Sequence, residues 1–223
     1  MSKNNYDEKC RLLIIGDSFV GKTSFLSRYA RGTFNLTYLA TAGFEFFTKD
    51  DEIDNKNVRI ELWDSSGYEK FHSLTASSFS NAEGIMVMFD VTNPTSFENV
   101  LNWTESIKTH LSSWINNIPV IIIGNKIDIV EREIKTEEAR KYCKDLGFKY
   151  YETSAKTGEN VNDTIKSLVR EVLKKKIRKN KKEVNVMEIP KPQDSKKEGN
   201  CCCIILWKIV ILLLILLYLF LFC

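Results

Sequence analysis

The sequence predicts an α/β fold: a mostly parallel six-stranded sheet with one antiparallel edge strand, helices on both faces, and a C-terminal membrane helix. Three observations carry this expectation. Short runs that are apolar throughout alternate with stretches of helical periodicity. Strands of that kind suit a parallel sheet covered on both sides. Finally, the last twenty residues are apolar except for Lys208.

The elements follow in order. Residues 11–15 form an apolar run ending at a glycine, which reads as a buried strand. A helix follows, with Phe25, Leu26 and Tyr29 on one face, and stops at Gly32. Residues 44–64 hold two strand-like runs joined by the polar stretch 49–57, which suggests an antiparallel hairpin at the sheet edge; in its second run Val58, Ile60 and Leu62 alternate with polar residues. Residues 84–90 and 120–124 read as two further buried strands. Between them a helix over 94–111 carries Phe97, Val100, Leu101, Thr104 and Ile107, with Pro94 suitably placed in its first turn. Another helix runs from about Thr136 to Gly147, then a strand over 150–153, then a helix from about Asn160 that buries Val161, Ile165, Leu168, Val169 and Val172.

Charge divides the 223 residues unevenly. Residues 1–173 carry 21 basic and 25 acidic side chains, whereas 174–200 carry 10 basic and 4 acidic. The body is therefore mildly acidic, and nothing in it reads as a nucleic-acid surface. The basic stretch contains Pro190 and Pro192 and little apolar content, as a disordered linker does. The expected organisation is a tail at 1–8, the main folded domain at 9–176, a flexible basic linker at 177–203 and an anchor at 204–223. Cys10 and Cys143 sit in apolar or helical patterns and read as buried free thiols of a reducing compartment. The polar N-terminus predicts neither a signal peptide nor, lacking glycine after Met1, myristoylation.

Gly16-Asp-Ser-Phe-Val-Gly21-Lys22-Thr23 matches the phosphate-loop pattern between a predicted strand and a predicted helix. Backbone N–H groups and the helix N-terminus cradle phosphate oxygens in such a loop. Lys22 neutralises phosphate charge, and the Thr23 hydroxyl is a Mg2+ ligand. Alone, the loop fits any nucleoside triphosphate, including the substrates of ATPases and nucleotide kinases.

The base is read elsewhere. Asn125-Lys126-Ile127-Asp128 follows an apolar strand, and Ser154-Ala155-Lys156 follows the last one. A carboxylate such as Asp128 accepts two hydrogen bonds from guanine, and adenine would leave that charge unpaired. In order and spacing, these motifs resemble the Ras-like small GTPases over roughly residues 9–176. Within that superfamily the segments 41–46, 62–64 and 69–75 resemble Rab proteins.

The resemblance implies a P-loop NTPase G domain that binds GTP and GDP with Mg2+. The implied nucleotide contacts are Gly16, Ser18, Val20, Gly21, Lys22, Thr23, Ser24, Phe34, Tyr38, Thr41, Gly67, Asn125, Lys126, Asp128, Ser154, Ala155 and Lys156. Ala155 N–H would meet the guanine oxygen, Phe34 would cover the base, and Tyr38 would lie near the phosphates; plain packing is the other role for Phe34 and Tyr38. Thr23, Thr41 and Asp64 would form the metal site, with Asp64 acting through water and Thr41 only in the triphosphate state. Lys22, Thr41 and the residue at Tyr68 would carry catalysis. Exchange factors, GTPase-activating proteins and effectors would meet residues 41–46 and 63–75, where Phe46 and Trp63 suit either an effector patch or the core.

Three departures stand out. Tyr68 occupies the place of the family's water-orienting glutamine, and a phenol cannot both accept from water and donate to phosphate as that amide does, so intrinsic hydrolysis should be slow. Rab-type activating proteins would supply an arginine and a glutamine in trans, so stimulated hydrolysis need not be lost. Phe19 replaces a small residue and would be strained at positive φ. The usual prenylated ending is replaced by residues 204–223, and twenty helical residues span about 30 Å, a bilayer core. Lys208 can snorkel there, and Cys201, Cys202 and Cys203 become palmitoylation candidates.

The leading expectation is thus a tail-anchored Rab-like switch in vesicle traffic, on the cytoplasmic face of an intracellular membrane. One rival is a largely GTP-occupied recruitment platform that hardly hydrolyses; another is an ATP-using P-loop enzyme.

Overall fold

The computed structural model describes residues 6–35, 44–65, 79, 81–111 and 118–187, with side chains through Lys179. The chain divides after Lys182, and of its second unit, Glu183–Cys223, only the end of one helix is described.

The first unit holds a six-stranded sheet: β1 (Glu8–Ile15), β2 (Phe44–Ile53), β3 (Lys56–Ser65), β4 (Gly84–Asp90), β5 (Val120–Asn125) and β6 (Lys149–Thr153). Their order is β2-β3-β1-β4-β5-β6. All neighbours pair in parallel except β2 with β3. The helices are α1 (Lys22–Arg31), α2 (Pro94–His110), α3 (Thr136–Asp145) and α4 (Val161–Met187).

The pleat of β1 divides the core. Cys10, Leu12 and Ile14 join one apolar cluster with Phe25, Leu26 and Tyr29 of α1 and Val161, Ile165 and Leu168 of α4. Leu13 and Ile15, on the opposite face, join Phe97, Val100, Trp103 and Ile107 of α2 and Ala139 and Cys143 of α3. Among the described residues helices thus cover both faces, as apolar parallel strands require. Cys10 and Cys143 are free and buried, and burial pushes both thiols up to about 12.

Two boundaries differ from the sequence reading. The edge hairpin has no long polar connection: β2 and β3 pair from Phe44↔Ser65 to Ile53↔Lys56, joined by Asp54 and Asn55, both at positive φ. Aspartate and asparagine tolerate the left-handed region, and two such residues match the twist of a hairpin. The last helix runs on to Met187, into the stretch expected as linker. Lysine, arginine and glutamate are good helix formers, and no glycine or proline interrupts them before Pro190. Among the described residues no helix is long and apolar enough to cross a membrane; residues 204–223 lie outside them.

Candidate functional site

The C-terminal ends of β1, β3, β5 and β6 converge on one side of the sheet, where the sequence motifs fall. After β1 the chain turns sharply into α1. Gly16, at φ 140°, passes so close to β4 that a Cβ there would lie 2.1 Å from the Met88 carbonyl oxygen. Gly21, at φ 97°, caps α1, and its Cβ would lie 2.5 Å from Asn125 Nδ2. Only glycine fits either place. Phe19 is the strained member, at φ 67° and 58% exposed as a residue.

Lys22 is buried, and its Nζ donates to the Gly16 and Asp17 carbonyls at 2.8 and 2.7 Å. Burial lowers its pKa to about 8, against the pull of Asp64 and Asp17. Thr23 Oγ1 donates to Asp64 Oδ2 at 2.5 Å. Asp64 is fully buried, and its Oδ1 has no hydrogen-bond partner. Burial raises its pKa to about 6, opposed by the Thr23 hydrogen bond and Lys22. An orphaned, desolvated carboxylate oxygen beside a threonine hydroxyl is a hard-oxygen donor set of the kind Mg2+ takes, so these residues fit the ion.

The other loops meet at Asn125. Its Nδ2 donates to the Val20 carbonyl at 2.9 Å, and its Oδ1 accepts from Thr153 Oγ1 at 3.3 Å and Ala155 N–H at 3.1 Å. One buried amide therefore ties the phosphate loop to the loop after β6. The Ala155 N–H expected to serve guanine is spent on Asn125 in this structure. Asp128 Oδ1 accepts from Ser154 Oγ at 2.6 Å, while its Oδ2 lies 3.7 Å from Lys156 Nζ. Lys126, at φ 70°, pairs with Asp90 at 2.6 Å. Phe34 is half-buried against the α1–α4 cluster.

The structure thus brings together Gly16, Gly21, Lys22, Thr23, Asp64, Asn125, Asp128, Ser154 and Ala155, with Val20, Lys126 and Lys156 at the joins. Tyr38, Thr41, Gly67, Tyr68 and the cysteines at 201–203 lie outside the described residues. Phe46 is half-exposed and meets Trp63 edge to face at 5.5 Å. Sequence reasoning missed Asp17: Asn99 Nδ2 and Trp103 Nε1 of α2 both donate to its carboxylate at 2.7 Å, anchoring the phosphate loop to that helix. It also missed Arg28 of α1. Neither residue sits at a motif position with a side-chain role, so no local signal marks them.

Comparisons with known proteins give the chain's family. The family model for the Ras family matches residues 11–174. The chain is 39% identical over 175 residues to the human Ras-related protein Rab-8B, covering 78% of this chain and 83% of that one. It is 37% identical over 171 residues to the Ras-related protein Rab-13 of Canis lupus familiaris (76% and 83% covered). The Ras-related protein Rab-8 of Diplobatis ommata is 38% identical over 201 residues, covering 86% and 94%.

Proposed function

The chain belongs to the Ras family and to its Rab branch, and from that membership we propose a GTP/GDP switch that recruits effectors from a membrane-held position. Rab proteins are small GTPases that bind GTP and GDP with Mg2+, hydrolyse GTP and act in vesicle traffic on intracellular membranes. The single observation carrying the finer reading is the Asn125 amide, which locks the phosphate loop and the base loop at fixed separation. A nucleotide that fills both loops is then read at both ends.

In this reading Lys22 leaves its carbonyl partners for the phosphates, which restore its full charge. Thr23 and Asp64, joined by Thr41, hold Mg2+, which supplies positive charge against the phosphates when bound. Asp128 reads the guanine edge, held ready by Ser154. The switch segments 41–46 and 63–75 carry partner recognition, and the Phe46–Trp63 pair is its exposed apolar part. Residues 204–223 hold the domain to the membrane, with Cys201, Cys202 and Cys203 open to palmitoylation. A nucleotide competition assay tests the base: guanine nucleotides displace bound GDP and ATP does not. Equal displacement by ATP would overturn the assignment.

Tyr68 favours a second reading, a largely GTP-occupied recruitment platform. Tyr68→Gln separates the two. A single-turnover rate that rises several-fold on this change places slow hydrolysis at Tyr68. An unchanged rate places the defect elsewhere, with strained Phe19 the next suspect.

A further inference from the structure

Arg28 is the fourth-from-last residue of α1, and its half-buried guanidinium reaches three carbonyls, two in one distant loop and one at its own helix end. Nε donates to the Ala155 oxygen at 2.9 Å, and Nη2 donates to the Lys156 oxygen at 2.5 Å. Nη1 donates to the Gly32 oxygen at 2.8 Å, just past the helix end. The same guanidinium carbon lies 5.9 Å from the centre of the Phe34 ring. Its chain also passes Gly158, at φ 89°, where an added Cβ would stand 3.6 Å from Arg28 Cδ. The group thus spans Gly32 and Phe34, at the entry to the first switch, and the loop after β6.

We propose that Arg28 is a positioning residue for base recognition, one that couples the base loop to the chain entering the first switch. The inference rests on the reading of residues 154–156 as that loop. Ala155 is held on two sides: Asn125 takes its N–H, and Arg28 takes its carbonyl. In a planar trans peptide the C=O and the following N–H point in opposite directions. Fixing the Ala155 oxygen on Arg28 therefore fixes the Lys156 N–H on the far side of the same plane. The planar fork of donors in arginine serves three acceptors at fixed angles; a lysine ammonium is a single mobile point charge. Because the fork also holds Gly32 and lies over Phe34, a change in the first switch has a direct mechanical route to the loop that grips the base.

The test compares two nucleotides on the full-length chain: GDP, and the diphosphate of 2-aminopurine riboside, which lacks the 6-oxo group the base loop would bind. The probe also lacks the N1–H from which Asp128 would accept, so wild type prefers GDP on both counts and only the change caused by the Arg28 variants reports on the base loop. R28Q lowers GDP affinity about tenfold, the size of a lost charged hydrogen-bond set, but changes the 2-aminopurine nucleotide by less than about twofold. R28K, which keeps the charge and part of the donor set, gives an intermediate loss for GDP and serves alone if R28Q does not fold. The ratio between the nucleotides is the readout, since general loosening would weaken both alike. Equal loss for both nucleotides, or no loss for either, would overturn the proposal. A wild type that failed to distinguish the two nucleotides would instead sink the base-loop reading, and the proposal with it.

Discussion

The two ends of the candidate site are built in opposite ways. At the base end every polar group described has a partner: Asn125 is bonded at both amide atoms, and Asp128 rests on Ser154. At the phosphate end charge is buried and incompletely matched. Asp64 keeps an orphaned oxygen, Lys22 turns to backbone carbonyls, and Phe19 holds a left-handed conformation. A fully paired buried network is rigid, whereas an unmatched buried charge is costly until something arrives to match it. On the proposed reading the difference separates the tasks: the base end, shaped in advance, would select, while the phosphate end would be relieved by Mg2+ and phosphate.

Breaking the base end should have the largest effect. Asn125→Ala strands the buried Val20 carbonyl and Ala155 N–H and frees two loops from each other. At about 1–3 kcal/mol for each of two orphaned groups, GDP affinity should fall about 30-fold or more in a fluorescent-nucleotide titration. A loss under about fivefold would mean that the loops hold their places without this amide.

Altering Asp128 should change selectivity more than folding. Asp128→Asn replaces an acceptor-only carboxylate by an amide, so preference should pass from guanine to xanthine nucleotides, with GDP weakened about tenfold or more. Competition between GDP and xanthosine diphosphate reads this out, and retained guanine preference would move base recognition away from Asp128.

The smallest effect belongs to Phe19. A β-carbon-bearing residue in the left-handed region costs roughly 1–2 kcal/mol, so Phe19→Gly should relieve about 1 kcal/mol of strain, less the added chain entropy of glycine. Thermal unfolding of the nucleotide-free protein should shift up by a few degrees or less. A clear drop would show that the Phe19 ring packs usefully despite its exposure.

Much of this was legible in the sequence because the signals are local. Apolar strand runs, Gly21 before the helix and Pro94 in the first turn of α2 each act within a few residues. The hairpin turn at Asp54 and Asn55 was hidden because its flanking strands are charged on the outside and read as loop. The extension of α4 was hidden because high charge suggests disorder even where propensity favours helix. Arg28 and Asp17 were unreadable for another reason. Their partners lie up to 128 residues away, and those of Arg28 are backbone atoms that carry no residue signature.

On the proposed reading Asp64 is a buried charge that destabilises the domain until a cation meets it, and one measurement tests this directly. A carboxyl held near 6 instead of 3.8 carries a penalty of about 3 kcal/mol in its ionised form. The sign follows from linkage: the folded state binds this proton more tightly than the unfolded state, so the site is without penalty below about pH 4 and loses stability as pH rises through about 6. The measurement is chemical unfolding of the nucleotide-free full-length chain in chelator, between pH 5 and 8, for wild type and Asp64→Asn. The prediction is that D64N is the more stable protein at pH 8, by about 1–3 kcal/mol, with the gap falling to about half by pH 5, although it binds Mg2+·GTP far more weakly. Wild type equal to or more stable than D64N at pH 8, with parallel pH profiles, would contradict it.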